Sequence, residues 1–251
     1  MFSVAWKVAG IATVLALVVT ALSVNRLSDA LHEKSAWRIV GAPNHGKTPE
    51  PAELHEAVDH AFRVPVGPPD AELDVWVLDP KRDPPTGTVL VLHGVYDKKR
   101  TMVGFGKMLC GSNNQRSVLI DLRGHGHSTG DFLSFGQVES RDMMQVLDVL
   151  EQRGLLVPPV SIYGPSFGAA VAIQTAARDP RVENVVAVAT FGSLEKIVVP
   201  YIDHFHPQIA WALPDSWSHS VVDRANALAD VDLRKNDNLK AIRETRARVL
   251  I

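Results

Sequence analysis

Apolar positions fall into distinct regimes along this chain. From Val8 to Val24 they run almost unbroken, VAGIATVLALVVTALSV, with Lys7 before the run and Asn25 and Arg26 after it. An uncharged stretch of this length is near the lower limit for a helix that crosses a bilayer and longer than the usual core of a signal peptide. Residues 1–25 are therefore expected to be an uncleaved anchor rather than a signal, although Ala21 and Ser23 offer small residues for processing. Lys7 and the terminal amine lie ahead of the span, which leaves the N-terminus inside and predicts a single-pass membrane protein with its globular part outside the cytoplasm. Over 26–54 charges mix with Gly41, Pro43, Gly46, Pro49 and Pro51, a pattern that predicts a linker carrying no chemistry.

From about His55 the pattern changes to that of a folded domain, 55–251. Ala61–Val66 and Leu73–Leu78 read as strands joined by a turn at Gly67–Asp70. The run TVLVLHG from Thr88 is continuously apolar, as expected for a strand with both sheet faces covered. A helix over 101–109, a buried strand over 117–121, a helix over 137–153 with apolar positions at Met143, Met144, Val146, Leu147 and Leu150, and a strand at Val160 follow. Next come a helix over 167–178, a strand over 182–189 and a last strand-like run from Arg248 to Ile251. This alternation predicts an α/β fold, a mostly parallel sheet wrapped by helices. Residues 197–236 interrupt the alternation with Tyr201, Phe205, Trp211 and Trp217, and are expected to form a cap that shapes a pocket.

Composition narrows the chemistry. With 251 residues, 46% hydrophobic and 22% charged, the chain can bury a sizeable core. A net charge of −2, from 26 basic and 28 acidic residues, gives no electrostatic reason to expect nucleic acid. The single Cys110 cannot close an intrachain disulfide and reads as a small packed residue.

The decisive stretch is VSIYGPSFGAAV, Val160–Val171, where a strand meets a small-residue helix at Ser166. The pattern is Gly-x-Ser-x-Gly. A strand that turns abruptly into a helix leaves no room for side chains beside the turn, and Gly164 and Gly168 provide that room. Such a turn lifts the serine oxygen clear of the sheet and puts the N–H of Phe167 at a helix N-terminus, where developing negative charge is favoured.

Four segments in order, LVLHGVYD at Leu90, LIDLRGHGHSTGD at Leu119, SFGQVESRD at Ser134 and SIYGPSFGAAVAI at Ser161, resemble the α/β-hydrolase superfamily. The resemblance covers roughly His55–Ile251. It is strongest to the branch holding serine-aminopeptidase-like and monoacylglycerol-lipase-like enzymes and membrane-anchored relatives. It implies that Ser166 is the nucleophile, with the oxyanion-hole N–H groups coming from Phe167 and from Val95 in the loop after the His93-Gly94 turn.

The remaining polar residues read as structural. In a His-Gly turn His93 packs and bonds beneath the loop, and His125 and His127 sit in a Gly-rich turn beside the site. No carboxylate or cysteine falls at ligand spacing with them, so no metal is expected, and no cofactor is implied. Glu139 and Asp142 are placed in the first turn of a helix, where the macrodipole favours them, with Asp131 turning the loop before it. The usual chain order places an acid and then a histidine after the nucleophile. Val249–Ile251 resembles the strand that precedes the acid, so the domain reads as incomplete and neither role is assignable. Glu195 or Asp203, with His204, His206 or His219, form an internal alternative that requires the cap to descend onto Ser166.

These readings converge on a membrane-anchored serine hydrolase that cleaves an ester or related acyl bond through an acyl-serine, acting on a small acyl or peptide substrate. A non-catalytic binding module and a serine peptidase of the same fold remain as alternatives.

Overall fold

The protein is described here by a computed structural model, covering residues 23, 26, 29–43, 58–194, 196–197 and 215–251. Seven strands form one sheet: β1 (His60–Val66), β2 (Ala71–Leu78), β3 (Thr88–Val91), β4 (Arg116–Ile120), β5 (Val160–Pro165), β6 (Val182–Val188) and β7 (Arg248–Leu250). Their order is β1-β2-β4-β3-β5-β6-β7, with β1/β2 and β2/β4 antiparallel and every other pairing parallel. The crossover helices are α2 (Val103–Asn113), α3 (Gln137–Gln152) and α4 (Phe167–Arg178).

Period-two alternation sorts each central strand between two cores. Val75, Val77, Leu90, Val118, Ile120 and Ile162 face α3 and α4, while Trp76, Leu78, Val89, Val91 and Leu119 face α2. Both faces are covered, which is why β3 is buried at every position. On the α2 side, Gly106 lets the helix backbone approach the sheet, since a Cβ there would stand 2.9 Å from Leu78, and the Gly106 carbonyl accepts a bond from Ser117 Oγ at 3.1 Å. The helix runs past the predicted end at Leu109 because Asn114 takes the left-handed conformation that closes it, at φ 56°. Cys110 is half-buried and packs there, its Sγ 3.3 Å from the Leu78 carbonyl.

The largest departure from the sequence reading lies in the expected linker. Residues 29–40 form a helix, α1, which packs on α5 (Asp215–Ala229). Ala36, Ile39 and Val40 recur at the spacing of one helical face and are buried with Leu194, Trp217, Val221, Val222 and Ala225. Polar contacts reinforce the pairing: Glu33 bridges Arg224 at 2.6 Å, and His32 Nε2 lies 2.7 Å from Ser220 Oγ. The chain then joins the body, with Gly41 bridged to Phe132 and the Leu133 N–H donating to the Val40 carbonyl. The prolines and glycines that suggested a stalk begin only where this helix ends. Two distant segments, 29–40 and Asp215–Ala229, therefore pack together, the first of them outside the expected cap at 197–236, of which 198–214 lie outside the described residues.

A short helix α6 (Asn238–Glu244) returns the chain to the sheet, with Thr245 Oγ bonding the Ala176 carbonyl at 2.7 Å. No helix among the described residues is long and apolar enough to cross a membrane; the run 8–24, Ser23 apart, lies outside them.

Candidate active site

Ser166 stands between β5 and α4 with φ 50° and ψ −111°, a backbone state that an L-residue occupies only when its surroundings enforce it. Those surroundings are explicit. Ser166 N–H donates to the Val188 carbonyl on β6 at 2.7 Å, and its own carbonyl accepts from Ala170 N–H at 3.2 Å, starting α4. The strand and helix cross so closely that a Cβ on Gly164 would stand 2.4 Å from the Gly168 carbonyl carbon, and a Cβ on Gly168 would stand 2.6 Å from the His93 carbonyl oxygen. Both glycines of the motif are thus required by backbone contact. The serine side chain is left exposed.

Phe167 is the first residue of α4, so its N–H has no intrahelical acceptor. The loop after β3 carries Val95 to the same place. Ser166, Phe167 and Val95 line one cavity of about 120 Å³ with Phe135, Phe191, Leu194 and Ile197. Ile39 and Arg38 of α1 and the exposed Tyr96 complete its wall. The contributions of Arg38 and Ile39 were not foreseen from the sequence, although the spacing of Ala36, Ile39 and Val40 carried the signal of a packed helix.

The histidines near the motif are structural. His93 is fully buried; its Nδ1–H donates to the Gly94 carbonyl at 2.7 Å and its Nε2 accepts from Leu122 N–H at 3.0 Å. Burial holds it below the ordinary histidine range, so the ring is neutral and ties the His93-Gly94 turn to the end of β4. His125 donates from Nδ1 to the Arg123 carbonyl at 2.8 Å and stacks on the Phe167 ring at 5.5 Å. Burial and the nearby His93 lower its pKa to about 3. Its Nε2 is buried without a partner among the described residues. The His127 N–H bonds Asp121 at 2.9 Å. Among the described residues no group of histidine, cysteine and carboxylate side chains is arranged to hold a metal ion.

Two buried ion pairs, neither legible in the sequence, hold the loops around the cavity. Lys99, fully buried, reaches Asp121 at 2.9 Å and Asp74 at 3.1 Å, and its Nζ lies 4.2 Å from the Trp76 ring centroid. Asp121 also accepts from the backbone N–H of Lys99 and of His127, so one carboxylate joins the loop after β3 to the Gly-rich loop after β4. Arg123 in that second loop makes a bidentate pair with Asp142 at 2.8 and 2.9 Å. This corrects the sequence reading of Asp142, which lies in the second turn of α3 and serves as an anchor. Glu139, at the third position of α3, does cap the helix, accepting from Gly136 and Ser134 N–H at 2.8 and 2.7 Å.

Burial lifts the Asp142 pKa from 3.8 to about 6 against the lowering effect of Arg123. Because the folded pKa lies above the unfolded one, this group's contribution is fully present below about pH 4 and lost as the pH rises through 6. The stability of wild type minus that of Asp142→Asn should fall by on the order of 3 kcal/mol across that window, measured by urea unfolding at a series of pH values. A pH-independent difference would instead mean that Arg123 keeps the carboxylate ionised throughout.

Of the internal candidates for acid and base, Glu195, Asp203, His204 and His206 lie outside the described residues. His219 is exposed on α5 and does not line the cavity. Among the described residues no histidine or carboxylate bonds the Ser166 hydroxyl.

The family described as serine aminopeptidase, S33, matches residues 83–250. This chain is a member of that family, within the α/β-hydrolase superfamily. An esterase from Pyrococcus furiosus has the same fold, with a TM-score of 0.59 at 19% identity over 84% of this chain and 75% of that one. A second crystal form of that esterase gives 0.60 at 19% identity over 84% and 74%. A 2,6-dihydroxy-pseudo-oxynicotine hydrolase matches with a TM-score of 0.54 at 17% identity, over 76% of this chain and 52% of its own. At such identities the likeness of this hydrolase to them is one of fold.

Proposed function

We propose that this α/β hydrolase is a serine esterase in which Ser166 is the nucleophile, held outside the cytoplasm by an anchor at residues 8–24. The observation that carries the reading is the Ser166 backbone at φ 50°, ψ −111°, which directs an exposed hydroxyl into an apolar cavity at the head of α4. Ser166 Oγ attacks the ester carbonyl carbon and gives its proton to a general base. The carbonyl π electrons move to oxygen, and that oxyanion accepts hydrogen bonds from the N–H groups of Phe167 and Val95. Collapse breaks the C–O bond, and the alcohol leaves with the proton, forming the acyl-serine. Water then repeats the sequence, releasing the acid and restoring Ser166. We place the base and its acid outside the described residues.

An ester is favoured over an aminopeptide by the cavity lining. A free α-ammonium group requires an acceptor or carboxylate, whereas the described lining is apolar apart from Ser166, Tyr96 and the cationic Arg38.

A fluorophosphonate probe should label the full-length protein at a single site, with the adduct on the peptide carrying Ser166. The same preparation should hydrolyse short p-nitrophenyl esters at least tenfold faster than amino-acid p-nitroanilides. Adducts elsewhere, or faster anilide cleavage, would overturn the respective half of the proposal.

A further inference from the structure

Two aromatic walls of the cavity are gripped from behind by buried amides that no motif accounts for. Gln174 lies on α4, just over two turns beyond Ser166, and is almost fully buried. Its Nε2 donates to the Phe135 carbonyl at 3.1 Å and to Asn238 Oδ1 at 3.1 Å. Asn238, fully buried at the start of α6, extends the chain, its Nδ2 donating to the Phe191 carbonyl at 2.8 Å. Phe135 and Phe191 line the cavity with Ser166, and their rings meet edge to face at 6.4 Å, with Phe135 against the Phe167 ring at 5.7 Å. A third lining residue is tied to the same segment. Leu194 N–H donates to the Asn236 carbonyl at 3.0 Å, and Asn236 Nδ2 donates to the Ser134 carbonyl at 2.6 Å. Phe135 needs such a grip, because it is held at φ 54°, a left-handed state that a bulky side chain disfavours.

We propose that Gln174 and Asn238 are positioning residues that limit the length of acyl group admitted, by fastening the Phe135 and Phe191 walls to the helix that carries the nucleophile. This rests on the serine-esterase reading of Ser166. Neither residue is among the described lining of the cavity, so both act through the phenylalanines. A longer acyl chain enters only if a wall moves, and moving it pulls a buried carbonyl off its amide. Each such bond therefore opposes entry by about fivefold, the equivalent of one ordinary hydrogen bond. A short acyl chain leaves both walls in place and is indifferent to the amides.

The test compares p-nitrophenyl octanoate with p-nitrophenyl butyrate in the full-length protein, per active site titrated with a fluorophosphonate. Gln174→Met removes both donors at similar volume and should raise the octanoate-to-butyrate ratio of kcat/KM roughly tenfold, through a lower KM for octanoate. Asn238→Asp keeps the acceptor for Gln174, removes the donor to Phe191 and should raise the ratio about fivefold. It puts a carboxylate in the first turn of α6, where the helix dipole favours it, so a folded variant remains if Gln174→Met does not fold. In both, kcat for butyrate should stay within about twofold of wild type. A role in folding alone lowers the melting temperature and the titrated fraction of sites and leaves the ratio in place. An unchanged ratio in a folded variant overturns the inference, as does an equal fall in kcat for both esters, and in either case the esterase stands. If wild type turns over neither ester through Ser166, the esterase reading fails and takes this inference with it.

Discussion

Replacing Ser166 by alanine should lower ester turnover by the full-length protein by about 10⁶ while leaving its melting temperature within a degree or two of wild type. Loss of a serine nucleophile in enzymes of this mechanism costs about that factor, with a residue of 10³ to 10⁴ over water from the oxyanion donors and binding. The fold should not notice, because the Ser166 contacts that shape the turn are backbone bonds to Val188 and Ala170, which alanine keeps. Alanine also keeps the strain of φ 50°, ψ −111°. Ser166→Gly relieves it and should be more stable than Ser166→Ala by about 1 kcal/mol, equally inactive. Steady-state kinetics and thermal melts of the three proteins check both parts, and turnover surviving in either variant would remove Ser166 from the chemistry.

The second large effect is expected at a residue that never touches substrate. Gly164→Ala puts a methyl 2.4 Å from the Gly168 carbonyl carbon, 2.6 Å from its oxygen and 2.8 Å from Ala169 nitrogen. All three are backbone atoms, so relief requires β5 and α4 to separate. We expect a loss of about 3 kcal/mol in stability. A displacement near 1 Å at Ser166 should also lower kcat/KM by at least about 10². Gly104→Ala is the matched control: it lies in α2 with nothing within 4 Å of its added Cβ, and should stabilise by up to about 1 kcal/mol. Urea unfolding and kinetics on both variants distinguish contact from composition, and a Gly164→Ala protein with normal activity would refute the contact argument.

What could be read in the sequence follows the range of the interactions involved. The strands β3, β4 and β5 and the turn at Ser166 were legible because continuous apolar runs and a Gly-x-Ser-x-Gly spacing are local consequences of burial and close approach. The structural role of His93 was legible for the same reason, since it bonds the carbonyl of its own neighbour Gly94. Asp142 was misplaced because its partner, Arg123, is 19 residues away and buried pairing leaves no periodic trace. The Lys99 pair with Asp121 spans 22 residues and was invisible likewise. The helix over 29–40 was missed for a different reason: Gly41 and Pro43 dominate the composition of its surroundings, although they only end it. With that helix went Arg38 and Ile39, the part of the cavity wall that no motif announces.

The pairing of α1 with α5 also sets an order in time. His32 and Ser220, which meet across it, are 188 residues apart. At synthesis rates of about 5 to 20 residues per second, α1 leaves the ribosome roughly 10 to 40 seconds before its partner exists. Throughout that interval Ala36, Ile39 and Val40 lack the part of their surroundings that Trp217, Val221, Val222 and Ala225 provide, while Phe132 and Leu194 are already made. A nascent chain halted before residue 215 would lack that surface, so α1 could not be held beside Ser166 by the contacts it makes in the complete fold.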